Sequence, residues 1–269
     1  MLVFFVLSGF LITRLLLDER ERTGRIDVVA FYVRRARRLL PALAIVLVAT
    51  LAAAAVFGEM AIVGPQAFRA ALYHANLATV VEPLGHAWTL SVEEQFYVAW
   101  PAIVVFAGAW VAAPLMVLLL APFQVAAFGA IAAGASLARA RPRAMPHWFA
   151  IPAGAVLLIA TIISPDYSVA LRLAVVAAAL VLVLVALRPV PGLSNPALRY
   201  IGTISYGIYL WHVPVRWALT QAGLDATWSP WTLVGIGLSF GLAALSWHLV
   251  EIRILGRHRR LCRSAPAGD

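Results

Sequence analysis

Eight stretches of this chain are long and apolar enough to span lipid as helix: Leu2–Leu17, Leu39–Phe57, Phe96–Ala113, Pro114–Ala138, Trp148–Ile163, Ser168–Leu187, Tyr200–Leu219 and Pro230–Val250. Each runs to roughly 16–25 residues, the helical length that crosses a hydrocarbon core of about 30 Å. A helix closes its own backbone hydrogen bonds, which a hydrocarbon surrounding demands. None of the stretches alternates with the period of two that a membrane barrel strand needs. Gly and Pro inside several of them are better tolerated in spanning helices than in soluble ones. The expected fold class is all-α, a polytopic integral membrane helical bundle of about 8–9 transmembrane helices. It forms one domain over residues 1–263, with Ser264–Asp269 as a disordered tail.

Composition narrows the function classes. Hydrophobic residues make up 63% of the chain and charged residues 12%, which excludes an ordinary soluble domain and a disordered chain. The formal net charge of +9 would suggest nucleic acid in a soluble protein. Here all 21 basic residues are Arg, and they cluster between the apolar runs, as positive-inside topology requires. No nucleic-acid partner is expected. The absence of Lys excludes a Schiff-base lysine. One cysteine, Cys262, cannot form a disulfide within the chain. The six His are too scattered for a metal site, and no glycine-rich phosphate loop is present.

The arginines also set a parity condition. Arg20–Arg38, Arg139–Arg143, Arg188 with Arg199, and Arg253–Arg263 must all lie on the cytoplasmic side. Three runs separate the first cluster from the second, so a ninth crossing is needed. Met60–Val81 supplies it despite Gln66, Arg69, His74 and Asn76, which are expected to find buried partners inside the bundle. Gly85–Glu94 and the C-terminus then become cytoplasmic. Parity places Met1 outside with no basic residue ahead of it, so a leading helix is expected to be missing.

Four stretches resemble the membrane acyltransferase-3 family of bacterial O-acyltransferases. They are FFVLSGFLIT (Phe4–Thr13), FYVRRARRLLP (Phe31–Pro41), HAWTLSVEEQFYVAWP (His86–Pro101) and ISYGIYLWHVP (Ile204–Pro214). A weaker match is Val250-Glu251-Ile252-Arg253, with Ile252 where the family usually has Pro. The resemblance implies a multi-pass protein of the bacterial inner membrane. It implies transfer of an acyl group, commonly acetyl from acetyl-CoA, to a hydroxyl of a surface carbohydrate, glycolipid or natural product. Acyl-CoA is then the donor substrate, and no permanently bound cofactor is implied. The family's first helix carries an Arg and a catalytic His, and this chain starts after them. The resemblance therefore implies a chain with little or no activity alone.

Acyl transfer from a thioester needs a base, donors for the oxyanion, and cations for the donor's phosphates. Arg34, Arg35, Arg37 and Arg38 suit the phosphates, although arginines at a membrane edge also orient helices and grip anionic lipid. His86, Leu90, Glu93 and Tyr97 follow helical spacing, which puts three polar groups on one face. Glu93 or Glu94 could do proton work, or pair structurally with the arginines. His86 could be a base or an interfacial residue. Ser205, Tyr209, His212 and Arg216 repeat the spacing on an apolar helix and are expected to line a cavity or form an interhelical network. Pro214 is expected to kink that helix. Ser8-Gly9 lacks the context of a nucleophile elbow and reads as close helix packing. His248 and Glu251, three apart, are expected to bond to each other. The competing class is a non-catalytic remnant or a substrate conduit derived from such an enzyme.

Overall fold

The computed structural model describes residues 1–254 except 80, 121, 164–167, 191, 193–194 and 225–228. The expected tail and Cys262 lie outside the described residues. No strand occurs among the described residues. Ten α-helices follow one another among the described residues: α1 (Leu2–Thr23), α2 (Val28–Phe57), α3 (Met60–Ala71), α4 (Ala87–Phe106), α5 (Ala112–Leu115), α6 (Phe123–Ala140), α7 (Ala150–Ile163), α8 (Val169–Ala186), α9 (Pro196–Gln221) and α10 (Pro230–Ser246).

Helix ends follow local chemistry. Gly24 closes α1 at φ 74°, a left-handed conformation that glycine adopts without penalty. Ser168 caps α8 by accepting from the Leu171 N–H. Ser229 and Thr232 exchange side-chain bonds across the first turn of α10, with Pro230 at its first position.

Among the described residues, three helical stretches combine the length and apolarity of a membrane span: Val28–Phe57, Val169–Ala186 and Pro230–Ile254. Shorter apolar stretches lie at Ala109–Leu118, Val125–Ala140 and His147–Ala160. The expected ninth crossing, Met60–Val81, is not one helix. Helix α3 has 12 residues, a rise of about 18 Å, and ends at Ala71. Tyr73 follows with φ 55°, and a 3₁₀ turn covers Ala75–Leu77. His74 is exposed, not buried as expected, and its Nδ1 meets the Leu72 carbonyl at 2.6 Å. Pro114–Ala138 is likewise broken, into α5, a 3₁₀ turn at Met116–Leu120, and α6.

The chain divides into two compact units, and the boundary falls inside α4. The first contains Met1–Val28 and Val92–Asn195. Its centre is the crossing of α1 and α6. A Cβ added to Gly9 would overlap the Ile131 carbonyl oxygen, and one added to Gly134 would overlap that of Val6. Backbone therefore touches backbone at both points, the packing that small residues permit between apolar helices. The Ser8-Gly9 pair is a packing feature, as its context suggested. Trp100, fully buried on α4, donates from Nε1 to Thr13 Oγ1 of α1 at 2.8 Å. Its ring stacks on Phe96 at 4.9 Å.

The second unit contains Val29–Ser91 and the chain from Pro196. Its core gathers Val46 and Leu47 of α2, Val63 and Ala67 of α3, Leu84, Leu210 and Trp217 of α9, and Ala243 of α10. Gly207 lets α9 approach α10, since a Cβ there would meet Ala243 Cβ at 3.1 Å. Tyr206 donates to the Leu39 carbonyl at 3.4 Å, joining α9 to α2. Helix α9 runs through Pro214 without interruption.

Past α10, residues Trp247–Glu251 form a π-turn. That winding separates the expected His248–Glu251 pair. Buried Glu251 instead accepts from Ser246 Oγ at 3.0 Å, while His248 Nε2 meets Tyr200 Oη at 3.1 Å.

The glycine crossing is directly testable. Gly134→Leu has no room that side-chain motion can provide, because the obstruction is backbone. The substitution is expected to cost about 3 kcal/mol or more. In detergent the variant should elute as aggregate under conditions where Gly154→Leu, at an open position, elutes as a single peak.

Candidate active site

The polar groups that the structure brings together lie in the second unit, around the segment that enters α4. His86 precedes the helix, and its side chain is 8% exposed. Two aromatic neighbours on α9 enclose it edge-on: Tyr209 at 5.3 Å between ring centroids and His212 at 5.2 Å. Neither ring nitrogen of His86 has a hydrogen-bond partner among the described residues. The Leu210 and Pro83 carbonyls lie close enough to favour its protonated form without meeting it in bonding geometry. Leu210 has a carbonyl to spare because Pro214, four residues on, carries no N–H to bond it.

The site's backbone is tied down from two helices. Tyr209 Oη donates to the His86 carbonyl at 2.7 Å and shares a short hydrogen bond with Thr89 Oγ1. Arg216 pairs with Glu82, binding the segment again to α9. Gln66 of α3 donates from Nε2 to the Glu82 carbonyl at 3.2 Å and accepts at Oε1 from the Leu84 N–H at 3.2 Å.

His212 is differently placed. It is exposed, and its Nδ1 meets the Tyr209 carbonyl at 2.6 Å. A carbonyl can only accept, so the proton of the neutral ring sits on Nδ1. Nε2 then carries the lone pair. The structure thus separates two imidazoles by role, one accessible with a fixed tautomer and one enclosed.

Among the residues expected in a site, His86, Tyr209 and His212 come together. Glu93 and Glu94 belong to the other unit; Glu94 is 8% exposed and Glu93 half-buried. Arg34, Arg35, Arg37 and Arg38 lie on α2 in the second unit, with Arg34 and Arg38 exposed. Arg37 Nη1 is buried without a hydrogen-bond partner, an N–H available to an acceptor. Sequence reasoning did not identify Glu82 or Thr89, and took Gln66 only as a buried polar residue of a span. No group of three metal-ligating side chains occurs among the described residues.

Burial pushes the His86 imidazole down to about 4 from an ordinary 6.5. The nearby His212 charge adds to the effect, and the Leu210 and Pro83 carbonyls oppose it. A lowered folded value means the unfolded chain binds more protons between these two values, so stability is complete above pH 6.5 and falls as pH drops toward 4. The loss attributable to His86 is up to about 3 kcal/mol. Thermal unfolding in detergent between pH 7 and 4.5 should show a declining midpoint, and His86→Phe should flatten that decline.

The chain is similar to known proteins along most of its length. The sequence matches the family described as an acyltransferase domain over residues 1–248. It is 36% identical over 116 residues to the O-acetyltransferase OatA of Staphylococcus aureus, covering 38% of this chain and 19% of that protein. It is 29% identical over 319 aligned residues to the peptidoglycan O-acetyltransferase OatA of Listeria monocytogenes, covering 94% of this chain and 50% of that protein. The chain thus spans at most about half the length of these relatives. No solved structure matches it. With the match running through nearly all of the described helices, the chain belongs to the acyltransferase-3 family.

Proposed function

We propose that this membrane protein transfers an acetyl group from acetyl-CoA to a hydroxyl of a cell-wall or surface carbohydrate, with His212 handling the proton. The observation that carries the reading is the 2.6 Å contact between His212 Nδ1 and the Tyr209 carbonyl, which leaves Nε2 basic and accessible. Relatives named as O-acetyltransferases support the acetyl group, and the peptidoglycan relative supports a carbohydrate acceptor.

In this reading Nε2 of His212 takes the proton of the acceptor hydroxyl as its oxygen attacks the thioester carbonyl. The tetrahedral intermediate collapses with cleavage of the C–S bond. The departing thiolate receives the same proton from the imidazolium. The products are an O-acetyl ester and free coenzyme A. The enclosed His86, neutral above pH 5 or so, offers an N–H toward oxygen without contributing charge. Arg34, Arg35, Arg37 and Arg38 hold the phosphates of the donor, and the Arg37 Nη1 hydrogen is unspent for that purpose. Glu93 and Glu94 would do charge or proton work. The C-terminus would lie in the cytoplasm of a bacterial cell, with the inner membrane as the site of action.

The test uses membranes from cells expressing the gene, with ¹⁴C-acetyl-CoA and a glycan acceptor. The expected result is acetyl transfer that His212→Ala lowers by about 10²–10⁴-fold, the usual contribution of a general base. Transfer that His212→Ala leaves intact would remove His212 from the mechanism. Failure of the wild type to label any carbohydrate, while the protein is present and folded, would favour the non-catalytic remnant or conduit.

A further inference from the structure

The geometry points to Gln66 as a positioning residue that presents His86 to the site. This inference rests on the role just proposed for the His86–His212 pair. Nothing in the motifs marks Gln66. It lies on α3 and touches neither imidazole in the bonds it makes.

Its side-chain amide behaves like a neighbouring peptide group. Oε1 accepts from the Leu84 N–H, and Nε2 donates to the Glu82 carbonyl, each at 3.2 Å. Nε2 also reaches the Ile62 carbonyl one turn back at 3.3 Å, which fixes the amide's own orientation on α3. Residues 82–84 have no regular secondary structure to satisfy these backbone groups. One amide therefore supplies what a paired strand would.

The same segment is held from the opposite side by α9. Arg216 pairs with the Glu82 side chain, and Tyr209 donates to the His86 carbonyl. Between these ties sits an imidazole whose nitrogens have no hydrogen-bond partner among the described residues. A buried polar group left so is unfavourable and would swing outward if its backbone were free to move. The ties to α9 hold residues 82 and 86. Gln66 holds peptide groups between them through its side chain. Removing it would let His86 leave its enclosure while α9, and with it His212, stays in place.

The substitution that isolates this role is Gln66→Met, which keeps the shape of the side chain and removes its hydrogen bonds. Three readouts on the full-length protein decide it: acetyl transfer, thermal unfolding in detergent, and deuterium exchange of the peptide covering residues 78–90. The expected outcome is a kcat reduced on the order of tenfold, the value of one or two net hydrogen bonds. KM for acetyl-CoA and the unfolding midpoint should be unchanged, and exchange should accelerate only in the 78–90 peptide. Wild-type kcat and unchanged exchange in Gln66→Met would overturn the assignment. So would a kcat loss accompanied by a lowered midpoint and faster exchange throughout the second unit, which would make Gln66 a general packing residue. His212→Ala in the same series separates the two readings. Local exchange accelerated by Gln66→Met, together with transfer indifferent to His212→Ala, would keep the tie and discard the proposed chemistry.

Discussion

Peptide groups in hydrocarbon must be satisfied within the chain, and every functional feature of this protein is built around that demand. Long helices meet it outright. The polar side chains that remain among them then become costly unless they are paired, exposed or in use. That rule sorts the second unit. Thr50 returns its hydroxyl to the Val46 carbonyl, and Ser239 does the same to Gly235. These are quiet residues. Gln66, Glu82, His86, Tyr209 and Arg216 instead bond across long sequence separations, and together they secure a non-helical segment whose backbone a helix would have satisfied.

The two units solve their packing problems differently. In the first, glycines bring α1 and α6 into backbone contact at Gly9 and Gly134, and Trp100 of α4 bonds to Thr13 of α1. In the second, aromatic side chains fill the gaps, as where Phe57 meets Trp217 edge-on at 5.8 Å. The candidate site falls in the second unit, where the rings of Tyr209 and His212 enclose an imidazole.

Much of this was legible in residue spacing. The i, i+4, i+7, i+11 rule found Ser205, Tyr209, His212 and Arg216, and the structure places them along one side of α9. Spacing could not find Gln66, because its partners are backbone groups and carry no side-chain identity. The parity of arginine clusters asked for a full crossing at Met60–Val81, but parity counts crossings and does not fix helix length; α3 ends after 12 residues. The expected His248–Glu251 pair failed for a geometric reason. An i, i+3 contact presumes α-helical winding, and Trp247–Glu251 is wound as a π-turn. The approach of His86 to His212 required a tertiary fold, since 126 positions separate them along the chain.

The way His212 is oriented has a chemical consequence. In triads a carboxylate fixes the imidazole tautomer and also stabilises the imidazolium electrostatically. Here a helix carbonyl fixes the tautomer. A carbonyl dipole orients the ring with less stabilisation of its charged form than a carboxylate gives. In the proposed reaction this imidazole moves a proton both ways: the proton taken from the hydroxyl must be returned to sulfur within the same turnover. The Pro214 and Tyr209 positions on α9 act on the two imidazoles through backbone atoms, one freeing a carbonyl beside His86 and the other lending its own to orient His212.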